Sequence, residues 1–428
     1  MMIVYKRQLV QRNPFVPAGA LCDLSSSVAL MAHLKIWILF LSIFSANALS
    51  AFTGPVIVAH RGASGYRPEE SLSAWDLAAQ QDADYLEVDI VSSKDGKLFC
   101  MHSNEMSITT DIAMRPEFSQ RRTTKMVDGI QETGWFTEDF SSVEISTLRL
   151  KESLAFRPQL YNGIFHVPTL QDYLRIVRAK ETDLKRKFGL YIETKSPEHF
   201  RALNLSMEEK LVSTLNEFGF NQTDGSVLIQ SFETYNLLRL KNMTNIPLIQ
   251  LIWRRDGIQA DTGRPYSDLL TTEALSDISK YAIGIGPLKT LVIPFSSADD
   301  PTPATTLVRD AHAVGLKVHC YTFRNETNYY DTLRFTSMNQ EIDAFLAVGV
   351  DGIFTDFPDL GVSAKRRFLG ISSVTTHVQI ESKTSVGAWI GLITLSSFVI
   401  MLLIATFFLY TRYTNTYRKL QQMDMFDM

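Results

Sequence analysis

The stretch Val56-Ile57-Val58-Ala59-His60-Arg61-Gly62 decides the reading of this chain. It is followed by Tyr85-Leu86-Glu87-Val88-Asp89-Ile90-Val91 and by Leu98-Phe99-Cys100-Met101-His102. Three short apolar runs each carry polar groups at or near their ends. A His, Glu or Asp in an apolar strand is costly unless something pairs with it. His60, Arg61, Glu87, Asp89 and His102, gathered in neighbouring segments, therefore point to a built site rather than to packing. Residues at i and i+2 of a strand share a face, so Glu87 and Asp89 point the same way. Two carboxylates on one face suit a hard divalent cation. His60 and His102 can exchange protons near neutral pH, and Arg61 can grip a phosphate. Together these groups point to metal-assisted phosphoester chemistry.

Outward from this stretch the chain alternates. Gly189–Glu193, Val227–Gln230, Leu248–Trp253, Lys317–Phe323 and Gly352–Thr355 read as further strands. Helix-like stretches lie between many of them: Ser71–Gln81, Met207–Phe218, Thr272–Tyr281, Thr305–Val314 and Gln340–Val348. Lys94-Asp95-Gly96 reads as the turn between the second and third runs. Short apolar strands alternating with amphipathic helices imply a parallel sheet covered on both faces. About eight repeats over roughly 310 residues favour an α/β fold of the closed TIM (β/α)8 type. Ile283-Gly284-Ile285 makes a ninth strand candidate, so one of the nine is expected to be a loop or an extra strand. Residues 104–167, rich in Arg, Thr and Glu, break the rhythm and read as an insertion on one barrel edge, where substrate sites are built. His60, Glu87, Asp89, His102 and Glu193 all fall at or near strand C-termini, the end of a barrel that holds the active site. The pattern is lost after Phe357.

The chain has 428 residues, enough for a full core, with 21% charged residues and a net charge of −4. That balance gives no footing for nucleic acid. Near the N-terminus, Met31-Ala32-His33-Leu34-Lys35 precedes the apolar run Ile36–Phe44 and the small residues Ala46-Asn47-Ala48. This is the layout of a secretory signal peptide. Residues 1–50 are read as an N-terminal extension and signal, with Met1 and Met31 both open as the start. Residues 51–370 form the barrel domain and 371–385 a linker. Val386–Tyr410 carries no charge and is long enough to span a bilayer as one transmembrane helix. Arg412, Arg418 and Lys419 follow it, which places the 411–428 tail in the cytosol. The expected topology is single-pass type I, with the barrel lumenal or extracellular. Four sequons, at Asn204, Asn221, Asn242 and Asn325, agree with that side of the membrane. After signal removal only Cys100 and Cys320 remain. Both lie in apolar strands and read as separate buried thiols, with a disulfide as the alternative in that compartment.

The segments HRGASGYRPE, ADYLEVDIVSSKDG, the strand ending at His102, YIETKSP and GIFTDFPD resemble the glycerophosphodiester phosphodiesterase family. IGIGP and VLIQSF are similar to its periplasmic bacterial members. The resemblance runs over about residues 55–360. It implies a TIM barrel that hydrolyses glycerophosphodiesters to sn-glycerol 3-phosphate and an alcohol, with a divalent cation, Ca²⁺ or Mg²⁺. Carried over to this chain, it implies Glu87, Asp89 and Glu193 as metal ligands. It further implies His60 as general base and His102 as general acid, with Arg61 and Lys195 on the phosphate. Two positions depart from the family pattern: Glu70 stands where Pro-Glu-Asn is common, and Ser103 where His-Asp is common.

Other polar residues have plainer readings. Glu69 is expected to fix its loop or a neighbouring arginine, and Asp356 to hold its own loop together. Gln230 ends a strand and can face the pocket. Trp253, Tyr321 and Phe323 are cleft-lining or core residues. Two alternatives stand beside the main function. One is a lysophospholipid or phosphoinositide phosphodiesterase on the same barrel. The other is a non-catalytic receptor-like ectodomain, which predicts the loss of at least one of His60, Glu87, Asp89, His102 or Glu193; all five are present.

Overall fold

The computed structural model describes residues 54–296 and 303–371. The expected signal peptide, the 371–385 linker beyond its first residue, the 386–410 span and the tail lie outside the described residues. Among the described residues no helix is long and apolar enough to cross a membrane.

In chain order the elements are β1 (Val56–Ala59), α1 (Leu72–Gln80), β2 (Tyr85–Ser92), β3 (Leu98–Cys100), β4 (Thr123–Val127), β5 (Ile130–Gly134), α2 (Ser142–Ser146), α3 (Leu170–Leu184) and β6 (Gly189–Thr194). They continue with α4 (Pro197–Ala202), α5 (Glu208–Glu217), β7 (Val227–Ser231), α6 (Thr234–Met243), β8 (Leu248–Ile252), α7 (Thr272–Ile278) and β9 (Gly284–Pro287). The last are α8 (Leu307–Ala313), β10 (Lys317–Phe323), α9 (Met338–Val348), β11 (Gly352–Thr355) and α10 (Pro358–Phe368). Eight parallel strands pair in the order β1-β11-β10-β9-β8-β7-β6-β2, and β1 pairs again with β2, so the sheet closes on itself. This is the expected (β/α)8 barrel. The ninth candidate is resolved in favour of Gly284–Pro287, a true barrel strand. Leu98–Cys100 is the extra one: it runs antiparallel beside β2, folded back by the turn at Gly96, whose φ is 78°.

Period-two alternation sorts the side chains. On β2, Leu86, Val88 and Ile90 join the large core beneath the helices, while Tyr85 belongs to a separate interior cluster with Val58, Tyr191, Leu228, Ile249 and Phe354. That cluster plugs the barrel, as the fold requires of its interior. Glu87 and Asp89 continue the Tyr85 face beyond it. Outside, Ser71 caps α1 by accepting from Ala74 N, and Trp75 Nε1 donates to the Glu87 carbonyl at 2.9 Å, fixing α1 on β2.

The pattern does not stop at Phe357. Helix α10 packs back on β1, and a Cβ on its Gly361 would meet Ile57 Cγ2 at 3.0 Å. The insertion includes the β4–β5 hairpin, whose turn uses Asp128 and Gly129, both at positive φ. Such a turn matches the twist of paired strands. Cys100 and Cys320 are buried free thiols. The four sequon asparagines are all exposed.

Candidate active site

Strand register assembles the site. Asp89 lies opposite Glu193 on β6, and Glu193 opposite Gln230 on β7, so three inward polar side chains stand side by side around the barrel rim. Ala59 lies opposite Thr355, which sets the residues after β1 against those after β11. His60 N donates to the Thr355 carbonyl at 3.0 Å, and His60 Nδ1 meets Asp356 Oδ1 at 2.7 Å. A carboxylate there accepts the Nδ1 proton and leaves Nε2 as the basic nitrogen.

Arg61 turns the chain with φ 56°, and Gly62 follows at φ 80°. The Arg61 amide donates to Glu87 Oε2 at 2.5 Å. Its guanidinium reaches Glu69 Oε1 at 3.0 Å and Asp89 Oδ2 at 3.1 Å. Lys195 Nζ lies 2.6 Å from Glu193 Oε1. His102 arrives from outside the barrel ring, because Met101 N donates to the Asp89 carbonyl at 3.0 Å and draws the end of β3 over the rim. A cavity of about 130 Å³ is lined by His60, Arg61, Glu87, His102, Glu193 and Lys195. The seventh predicted residue, Asp89, sits against Arg61.

The electrostatics follow from burial and crowding. Burial, then the Arg61 charge, pushes His60 below its ordinary value, and the Asp356 hydrogen bond partly offsets this. Burial, then Arg61 and Lys195, holds His102 well below the usual imidazole range. Both imidazoles are neutral near pH 7. Burial would raise Asp356, but Arg324, His60 and Arg157 hold it far below the usual carboxylate range. Arg157 Nη2 and Arg324 Nε lie 2.6 and 2.8 Å from its Oδ2. Burial and the neighbouring Asp89 raise Glu87 and Glu70 well above the ordinary carboxylate value. Glu193 is pushed up to about 8 by burial, with Asp89 contributing and Lys195 opposing. Asp89 itself stays low because Lys195, Arg61 and His60 outweigh its burial.

These carboxylates fit a divalent cation. Glu70, Glu87 and Asp89 are all buried and present oxygens within 4.8 Å of one another. Glu70 Oε2 lacks a hydrogen-bond partner, and Asp89 meets Arg61 through Oδ2 while its Oδ1 makes no hydrogen bond. Buried carboxylate oxygens left without a partner are costly. Hard oxygen donors of this kind are what Ca²⁺ and Mg²⁺ take. Glu193 faces Asp89 from the next strand.

The sequence reading missed Glu70, Arg157 and Arg324 and gave Asp356 too small a part. Glu70 enters the carboxylate group from a loop, held by its Oε1 accepting from Asp89 N at 2.9 Å. No periodicity marks a loop residue, and Glu70 registered only as a departure from Pro-Glu-Asn. Asp356 does more than hold its own loop: it braces His60. It directly follows strand β11, so the strand-end rule used for Glu193 would have found it. Arg157 lies 199 residues from Asp356 and carried no sequence signal. Glu69 does fix a neighbouring arginine, Arg61. Gln230 faces the cavity and donates to Glu87 Oε1 at 3.3 Å. Tyr321 lines the cavity as well, whereas Phe323 is core.

Comparison with known proteins places the chain in a family. The glycerophosphoryl diester phosphodiesterase family model matches residues 60–360. Glycerophosphodiester phosphodiesterase GDPD6 of Arabidopsis thaliana is 38% identical over 316 residues, 71% of this chain and 84% of the plant protein. A Haemophilus influenzae glycerophosphodiester phosphodiesterase is 30% identical over 336 residues, 72% of this chain and 88% of its own length. A crystal structure from Silicibacter pomeroyi superposes with a TM-score of 0.57 at 19% identity, covering 76% of this chain and 98% of that one, which speaks to the fold. The family model spans the strand-end residues that form the cavity, from His60 past Asp356. The chain therefore belongs to the glycerophosphoryl diester phosphodiesterase family.

Proposed function

We propose that this chain hydrolyses glycerophosphodiesters to sn-glycerol 3-phosphate and the released alcohol. One observation carries the reading: two neutral histidines, the cations Arg61, Lys195 and Arg324, and the buried carboxylates Glu87 and Glu193 line a single cavity, with Asp89 and Glu70 against Glu87. Glu87, Asp89 and Glu193, with Glu70 beside them, would hold a divalent cation, Ca²⁺ or Mg²⁺. When bound, such a cation neutralises phosphate charge and acidifies an oxygen in contact with it.

The protein's own groups do the rest. Arg61 and Lys195 bind and orient the phosphate. His60 Nε2 takes the proton of the glycerol 2-hydroxyl as that oxygen bonds to phosphorus. The imidazolium that forms is stabilised by Asp356 on Nδ1. The bond from phosphorus to the alcohol oxygen breaks, and His102 gives that oxygen a proton. A bound phosphate offsets the Arg61 and Lys195 charges that hold His102 down, so His102 takes up from solvent, as substrate binds, the proton it then gives. Water then opens the cyclic phosphate with the histidine roles reversed.

The test is release of sn-glycerol 3-phosphate from glycerophosphocholine by the purified protein, with and without EDTA. Turnover should vanish with EDTA and return with Ca²⁺ or Mg²⁺. Turnover that survives complete metal removal would refute the metal role. Absence of glycerol phosphate from every glycerophosphodiester tried, with lysophosphatidylcholine cleaved instead, would favour the lipid reading.

A further inference from the structure

A second cavity of about 380 Å³ adjoins the first and shares His102, Glu193, Lys195, Phe232 and Tyr321 with it. Its outer wall combines the β4–β5 hairpin tip, through Asp128 and Ile130, with the segment after β8, through Trp253, Ile258 and Tyr266. It opens from His102, the group assigned above to protonate the departing alcohol. Under that assignment the leaving alcohol, not the glycerol, enters this space.

Two features describe what the space would accept. The first is aromatic. Tyr266 and Tyr321 both stand edge-on to Phe232, with ring centroids 6.1 and 6.0 Å away. Cations already lie near rings here: Lys195 Nζ is 5.7 Å from the Phe232 centroid, and the Arg254 guanidinium 4.9 Å from that of Trp253.

The second feature is a buried acid without a full set of partners. Glu233 lines the cavity and is 3% exposed. Its Oε2 accepts from Glu198 N at 2.9 Å, while its Oε1 has no partner. Asp128 stands at the mouth, where Ser196 Oγ donates to it at 2.7 Å. Asp261 stands near Glu233 and also keeps one unpartnered oxygen, Oδ1. The cation lining the cavity, Lys195, is committed to Glu193. Burial, then Asp128 and Asp261, pushes Glu233 up to about 9, so near pH 7 it holds a proton that it would release to solvent as an ammonium group arrives. An acyl chain would leave the Glu233 oxygen buried and unpaired. An ammonium group would meet both the acid and the ring faces.

Resting on the phosphodiesterase reading, we propose that this second cavity is the head-group subsite and that Glu233 makes it selective for diesters whose alcohol carries an ammonium group. The test is kinetics of the metal-loaded protein on glycerophosphocholine and glycerophosphoethanolamine against glycerophosphoglycerol and glycerophosphoinositol, whose alcohols are neutral. The ammonium diesters should be favoured in kcat/KM by about tenfold or more, and Glu233→Gln should collapse that ratio, mainly through KM for the ammonium substrates. Glutamine can still accept from Glu198 N, so a purely structural role for Glu233 would leave the ratio unmoved. Equal kcat/KM across the four substrates, or a ratio unchanged in the variant, would overturn the proposal. Calorimetric titration with choline gives a readout that needs no turnover. Binding weakened about tenfold by Glu233→Gln supports the subsite, and no binding to the unsubstituted protein overturns it. If none of the diesters is cleaved, the phosphodiesterase reading fails, and the choline titration still decides the pocket.

Discussion

Asp356 has three partners, and two of them are arginines. That surplus of positive charge keeps it ionised, and an ionised Asp356 orients His60 through Nδ1. Asp356→Asn removes the charge while keeping the shape. We expect kcat/KM to fall by about a hundredfold or more, within the span of a lost acid–base function. The direction of the pH change follows from the causes. Asp356 raises the His60 pKa against burial and Arg61, so its removal lowers that pKa further. The base form then persists to lower pH, and the acid limb of the kcat/KM profile should move down. A limb that moves up, or does not move, contradicts the pairing. At this scale the sequence was legible where strand alternation applies, as for Glu87 and Asp89. It was silent for Glu70 and Arg157, whose partners are set by where loops happen to meet.

At the scale of elements, the loop after β1 has little room. A Cβ on Gly62 would lie 2.6 Å from the Ala74 carbonyl carbon and 2.8 Å from Trp75 N, in backbone that cannot step aside, and its φ is already 80°. The N-terminal turn of α1 presses on this loop, and Ala63 N donates to the Ala74 carbonyl at 2.9 Å. The same contact that docks α1 thus holds His60 and Arg61 over the rim. Gly62→Ala should destabilise the barrel by about 2–3 kcal/mol and lower turnover as His60 shifts. Denaturant unfolding checks the first, and a midpoint unchanged from the parent protein would show that the loop yields. The helices read from sequence as Ser71–Gln81 and Met207–Phe218 are observed as Leu72–Gln80 and Glu208–Glu217, the ends trimmed by capping residues. Leu98–Cys100 was legible as a strand but not as the one outside the barrel, because an antiparallel edge strand and a barrel strand share one local pattern.

For the whole molecule, the interior plug carries its own acid sensitivity. His319 on β10 is buried inside the barrel, where its Nδ1 meets Tyr191 OH at 3.0 Å. Burial lowers it from 6.5 to about 4. Between those values the unfolded chain binds a proton that the folded barrel refuses. Stability is therefore complete above pH 6.5 and falls as pH drops toward 4, by about 3 kcal/mol over the full window. His319→Gln retains a polar partner for Tyr191 but does not titrate. The difference in unfolding free energy between parent and variant should shrink by that amount as pH falls through the window. A difference that stays constant would show that His319 does not set this response.

The sequence by itself determined the repeating strand and helix units, the inward face of β2 and the chemical character of the strand ends. All of these are local, since a side chain's face follows from its position along its own strand. Only the tertiary structure decided which eight strands close the barrel and that Asp89, Glu193 and Gln230 stand in one row. It also decided that Asp356, 296 residues away, is the partner of His60. Register and closure depend on pairing between distant segments. A buried charge is settled by whichever opposite charge or hydrogen-bond donor the closed fold brings within reach.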